Sequence, residues 1–352
     1  ADGPPVGGPA PATGGPPGPA FPDGPALQWA GAADAGTLYA TALACPDLSC
    51  PKTVHRLAGS DDGGRTWTSR GGQLREASLT VLDRRTLVAV SDTGVGAAAV
   101  SISRDGGRSW ASVRRQGRIV PALPPGGALV CVAKAAGQPC TGHALDPAAG
   151  QLRPLADSPT LADVRGSVVA PVGRHLWLAG TEPASGRPIV AVSADRGRSW
   201  ARHTFPCAAG ACAAPGLAVA PGGAQAYALL PAAAGDGLVA YRGTAAGVWS
   251  PVAGADAVPY DQQLDPPSPA AFVTRDGTLV VVAAGERERD EPRPSHWAHT
   301  GGTFRPVTLR GLPLRSRPPE RTATGYFLAL SYSDGTLYGS ADGRAWAPLT
   351  RR

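Results

Sequence analysis

The chain has 352 residues, with 47 Gly, 37 Pro, six Cys, no Met and a formal charge of +6. A hydrophobic content of 43% excludes a chain disordered throughout, and the lack of any run of 18 apolar residues excludes a membrane-spanning helix. Only two of the basic residues are Lys (Lys52 and Lys134) and no block of five like charges occurs, so the diffuse excess gives no sign of a nucleic-acid partner.

Residues 1–25 are almost entirely Pro, Gly and Ala and cannot bury enough side chain to offset the entropy of ordering, which predicts a flexible N-terminal tail. The start at Ala1, together with the missing Met, predicts a mature end left by removal of a signal peptide. From residue 26 to 352 no amphipathic helix is legible. Short apolar or alternating runs, Ser78 to Leu82, Thr86 to Val90, Ala97 to Ser103, Ile189 to Ser193 and Thr278 to Ala283, alternate with Asp-Gly, Gly-Gly and Pro-Gly breakers. That pattern predicts an all-β domain built from hairpins. The cysteines fall into three local pairs, Cys45/Cys50, Cys131/Cys140 and Cys207/Cys212, whose spacing fits disulfides better than zinc and favours an extracellular setting.

An internal repeat organises this region. Ser60-Asp61-Asp62-Gly63-Gly64-Arg65-Thr66-Trp67 recurs around Ser103, Asp105, Gly107 and Trp110, again around Ser193, Asp195, Gly197 and Trp200, and in a form one residue shorter around Asp342 and Trp346. Trp67, Trp110, Trp200 and Trp346 are separated by 43, 90 and 146 residues. Those intervals are one, two and three units of roughly 40 to 50 residues, the length of a four-stranded blade. Leu152, Trp249 and Phe304 occupy the missing places, each two residues after a Gly, and complete seven units.

The Ser-x-Asp-x-Gly-x-Ser/Thr-Trp pattern resembles the Asp-box, or BNR repeat, of sialidase-like propellers. The resemblance implies an all-β, seven-bladed β-propeller in a single domain, with each box closing the turn between the third and fourth strands and each Trp packed between neighbouring blades. The boxes then lie on one face, and the cysteine pairs lie on the other. So do the long loops Ala253 to Pro269, Gly285 to Pro294 and Arg310 to Arg321. Candidate binding residues on that loop face are Tyr260, Asp261, Gln262, Asp265, Arg287, Glu288, Arg289, Arg293, Arg315 and Arg317.

Sialidases use an Arg triad, a Tyr activated by Glu, an Asp and a Phe/Tyr-Arg-Ile-Pro motif. No such motif precedes Ser60, and Phe304-Arg305-Pro306 lacks the Ile. His296 and His299, three apart on a strand, point to opposite faces and do not form a metal pair. No catalytic residue, metal site or cofactor is therefore expected. The expectation is a secreted, monomeric, non-enzymatic propeller that binds an extracellular protein, with a glycoside hydrolase or carbohydrate binder as the alternative. In general plan the chain is also similar to secreted dispase autolysis-inducing propellers, which implies a secreted protease as partner.

Overall fold

The computed structural model describes residues 27–44, 54–74, 78–91, 99–133, 138–164, 166–207, 213–232, 237–260, 269–283, 296–314, 316–322, 324–331 and 334–350. These form the seven sheets of a single β-propeller domain, and the 3₁₀ turn Ala255–Ala257 is the only helical piece among them. No helix of the described residues is long and apolar enough to cross a membrane. The 1–25 tail, together with Cys45, Cys50 and Cys212, lies outside the described residues.

Five sheets are runs of four consecutive antiparallel strands. Blade one comprises Leu27–Ala32, Leu38–Ala44, Val54–Ser60 and Thr68–Leu74, and blade two Ser78–Val81, Leu87–Ser91, Ala99–Ser103 and Ala111–Ser112. Blade five comprises Gly216–Val219, Gln225–Pro231, Leu238–Thr244 and Trp249–Val252, and blade six Ala270–Val273, Leu279–Val282, His296–Thr300 and Thr303–Pro306. Blade seven comprises Glu320–Arg321, Phe327–Leu330, Leu337–Ser340 and Ala347–Pro348. Middle strands are apolar on both faces because a neighbouring blade covers each face. Leu176–Thr181 and Pro188–Ser193 of blade four are buried at every residue, whereas the rim strand Ala111–Ser112 is exposed.

Blades three and four depart from seven equal units. Blade three takes Ala128–Ala133, Cys140–Asp146 and Gln151–Pro154, but its inner edge is Val168–Val169, from later in the chain, and its outer edge is Arg114–Arg115. Blade four keeps three strands, Leu176–Thr181, Pro188–Ser193 and Ala201–Thr204.

Seven hydrophobic clusters fill the seven blade interfaces, and each contains one residue of the repeat's aromatic position. Trp67 lies between blades seven and one, Trp110 between one and two, Leu152 between two and three, and Trp200 between three and four. Trp249, Phe304 and Trp346 serve the remaining three. The ring closes through the first of these clusters, where Leu27, Leu38 and Trp67 meet Leu328, Leu330 and Leu337. Among the described residues no strand from either terminus enters the other terminal sheet, and blades one and seven meet through this apolar cluster and the bond from the Arg317 guanidinium to the Gln28 carbonyl.

The repeated turns share one hydrogen-bond scheme. In blade two the Ser103 hydroxyl donates to Asp105 Oδ1 at 2.8 Å and accepts from the Gly107 amide at 2.7 Å. Asp105 Oδ1 accepts from the Ser109 amide at 2.9 Å and Oδ2 from the Ser109 hydroxyl at 2.6 Å. Ser60 with Asp62 and Ser193 with Asp195 repeat these contacts. In the shorter copy Ser340 and Asp342 bind the amides of Gly343, Arg344 and Ala345, with no hydroxyl at position 345 to add a further bond. The buried serine oxygen thus finds partners inside the turn. Gly107 is required because φ is +86° and a Cβ would stand 2.4 Å from Leu57 Cδ2 of the preceding blade.

Two outcomes follow from this geometry. The Ser109 hydroxyl and amide hold the Asp105 carboxyl down to about 2, and the Thr274 hydroxyl does the same for Asp276. Because the folded pKa lies below the unfolded value of about 3.9, the stabilisation is complete above pH 4 and is lost as pH falls towards 2. Asp105→Asn should flatten that acid limb in thermal melts, and Asp105→Ala should lower stability by about 1 kcal/mol at pH 7. In blade four Arg196 takes φ +65° where the equivalent residues are Gly63 and Gly106. A side chain there costs about 1 kcal/mol, so Arg196→Gly should raise the denaturant midpoint.

Candidate functional site

Antiparallel alternation places two sets of connections on each face. One face carries the Ser-x-Asp turns and the turns between first and second strands, and these are tied to one another around the ring. The Tyr39 hydroxyl of blade one donates to the Arg84 carbonyl of blade two at 2.5 Å, and Arg104 Nε of blade two donates to the Pro147 carbonyl of blade three at 2.6 Å. Arg344 of blade seven reaches Asp276 of blade six at 2.8 Å, and the Arg275 amide returns to the Asp342 carbonyl at 3.0 Å. The exposed ion pair among these contributes at most about 1 kcal/mol. Their joint effect is to tie turns of neighbouring blades to one another on that face.

The opposite face carries the connections between second and third strands. Cys131 and Cys140 form a disulfide, Cα to Cα 5.4 Å, across the loop joining the second and third strands of blade three. Cys207, after the last strand of blade four, is also disulfide-bonded, with its partner outside the described residues. None of the described cysteines is free.

At the centre of the ring the innermost strands enclose a cavity of about 300 Å³, lined by Trp177, Leu178, Leu217, Ala271, Pro319 and Glu320 among others. Glu320 opens blade seven and is open to the cavity, yet protein surrounds it, and the resulting loss of solvation raises its carboxyl pKa while the nearby Arg317 guanidinium opposes that rise. The Arg317 amide donates to the Leu330 carbonyl at 2.7 Å, and its guanidinium donates to the Gln28 carbonyl of blade one. Among the described residues lining the cavity there is no tyrosine and only one carboxylate.

The candidate binding residues divide accordingly. Arg317 stands at the junction of blades seven and one, bonded to the Leu330 and Gln28 carbonyls. Tyr260 is 3% exposed, packed in the cluster between blades five and six with Val258, Val273 and Phe304. Its side chain is core rather than loop surface, because the chain turns inward after Ala255–Ala257. Asp261, Gln262, Asp265, Arg287, Glu288, Arg289, Arg293 and Arg315 lie outside the described residues. His296 is buried, which lowers its pKa to about 4, while His299 rests its ring 4.9 Å from Phe304. Sequence reading passed over Glu320, whose one local signal is its place after Pro318-Pro319 at the start of an inner strand.

No protein-family model and no curated protein matches the chain. Solved structures do. The β-propeller domain of the Trilobed protease from Pyrococcus furiosus, described as having an open velcro topology, is 9% identical over 93% of this chain and 95% of its own, with TM-score 0.53. YCF48 bound to D1 peptide is 15% identical over 98% and 88%, with TM-score 0.42, and Trypanosoma rangeli sialidase 12% over 80% and 54%, with TM-score 0.40. This chain thus spans about half the length of the sialidase. At these identities the likeness is one of fold.

Alkylation without reductant should add no mass to the intact protein, and six labelled cysteines would refute the pairing. Cys131→Ser should lower stability by about 2 to 3 kcal/mol, the range for closing so short a loop.

Proposed function

We propose that the chain is an exported, non-enzymatic propeller that binds an extracellular protein through the loop face, with a secreted protease as the partner class to test first. The supporting observation is the division between the faces. Turn-to-turn hydrogen bonds link neighbouring blades on the Ser-x-Asp face, while the Cys131–Cys140 disulfide cross-links a connection on the other. A cross-linked loop on a rigid scaffold loses less conformational entropy on binding, which favours recognition there. The disulfide also favours an oxidising compartment.

The central cavity supports binding over sugar hydrolysis. Most glycoside hydrolysis uses two carboxylates facing each other across the bond to be cut, and sialidases use a Tyr nucleophile; among the described lining residues there is one carboxylate, Glu320, and no Tyr.

The test is a binding titration of secreted proteases from the same culture supernatant against the immobilised propeller. Deletion of residues 285–294 should abolish binding, and Asp105→Ala, on the opposite face, should leave it intact. Turnover of a fluorogenic sialoside, lost on Glu320→Gln or Asp261→Ala, would overturn the proposal.

A further inference from the structure

Blades five, six and seven open their first strands with Gly216, Ala270 and Glu320, and each of these residues directly follows a proline. All three line the central cavity of about 300 Å³, together with the prolines before them. A proline brings no amide hydrogen to the wall. Gly216 brings no side chain, and a Cβ there would stand 1.8 Å from the Pro269 carbonyl oxygen. The half-buried Val169, Leu217 and Ala271 add apolar side chains. First strands start where the chain arrives from the preceding blade, so this wall lies towards the face opposite the Ser-x-Asp turns.

Into that wall the chain places one charge. Where blades five and six open with Gly and Ala, blade seven opens with Glu320, so the repeat itself does not call for a carboxylate there. The Glu320 carboxylate takes no hydrogen bond and no ion pair from the described residues, and the Arg317 guanidinium, bonded to the Gln28 carbonyl, acts on it through charge. Loss of solvation outweighs that attraction and raises the Glu320 pKa. No Lys, Arg or His stands among the described residues of the wall. A carboxylate held in an apolar cavity lowers stability, and a cation seated against it offsets that loss.

We propose that the central cavity is a binding site for an alkylammonium group, with the ammonium on Glu320 and the alkyl chain against Val169, Leu217 and Ala271. The volume, about 300 Å³, lies at the lower end of the range for small-ligand sites. Glu320 repels an anion, and a bare divalent cation would meet one carboxylate and no second acidic or imidazole side chain among the described wall residues. A free amine and the lysine side chain of a docked protein present the same chemistry to Glu320. The site does not depend on the protein partner proposed above, and its test contains none.

Isothermal titration calorimetry of the full chain with hexylamine tests this, with hexan-1-ol and hexanoate as its neutral and anionic counterparts. Hexylamine should bind, and the other two should bind at least about tenfold more weakly, consistent with loss of a charge pair held out of water. Glu320→Gln should remove that preference, while its melting temperature without ligand stays at or above that of the parent. Ala270→Phe, which fills the cavity beside the carboxylate, should also abolish binding. A peptide with one lysine, and the same peptide with norleucine in its place, separate the two sources. Lysine-dependent binding displaced by hexylamine assigns the site to a protein side chain, binding of hexylamine alone assigns it to a free amine, and both support the proposal. Failure of both amines to bind, equal affinity for hexan-1-ol, equal hexylamine affinity in Glu320→Gln, or displacement of hexylamine by calcium chloride but not by sodium chloride of equal ionic strength would each overturn it. If Glu320→Gln does not fold, Ala270→Phe decides, and unchanged hexylamine affinity in that variant overturns the proposal.

Discussion

A single blade of this protein cannot exist alone, because its middle strands are apolar on both faces and one sheet can shield neither. That two-sided burial is the constraint from which the ring follows. Each blade satisfies its neighbours, and the residue at the repeat's aromatic position, Trp67, Trp110, Leu152, Trp200, Trp249, Phe304 or Trp346, sits in each of the seven interfaces. Closure obeys the same rule. Blades seven and one join through Leu27, Leu38, Trp67, Leu328, Leu330 and Leu337, an apolar contact of the kind used at the other six positions.

The hydrogen-bonded turns serve that packing. A Ser-x-Asp turn fixes where the aromatic residue enters the interface and lets a glycine lie against the preceding blade, as Gly107 lies against Leu57. Units that lack the aspartate, those of Leu152, Trp249 and Phe304, still reach their interfaces. The interface therefore defines the repeat, and the turn chemistry reinforces it. With one face carrying these turns, the Cys131–Cys140 cross-link lies on the other, and the irregular strand pairing lies along the rim of blade three.

Legibility in the sequence follows the range of the interactions. The Ser-x-Asp turns are local over seven or eight residues, so their residues, their number and the blade count could be read directly. The disulfide Cys131–Cys140, nine residues apart, was equally local. Tyr260 was misplaced because its burial depends on how the connection between blades five and six folds inward onto Val258 and Phe304, which no local pattern records. Glu320 went unnoticed for a similar reason: a lone glutamate acquires meaning only when four blades bring their inner strands around it.

By itself the sequence determined the strand-rich architecture, the sevenfold count and the placing of the aromatic residues, because repetition and turn chemistry are written over short distances. Only the tertiary structure decided the manner of closure, the transfer of Arg114–Arg115 to the outer edge of blade three and the supply of its inner edge by Val168–Val169. Those outcomes depend on which of several compatible strands reaches a vacant sheet edge, a competition between segments far apart in the chain.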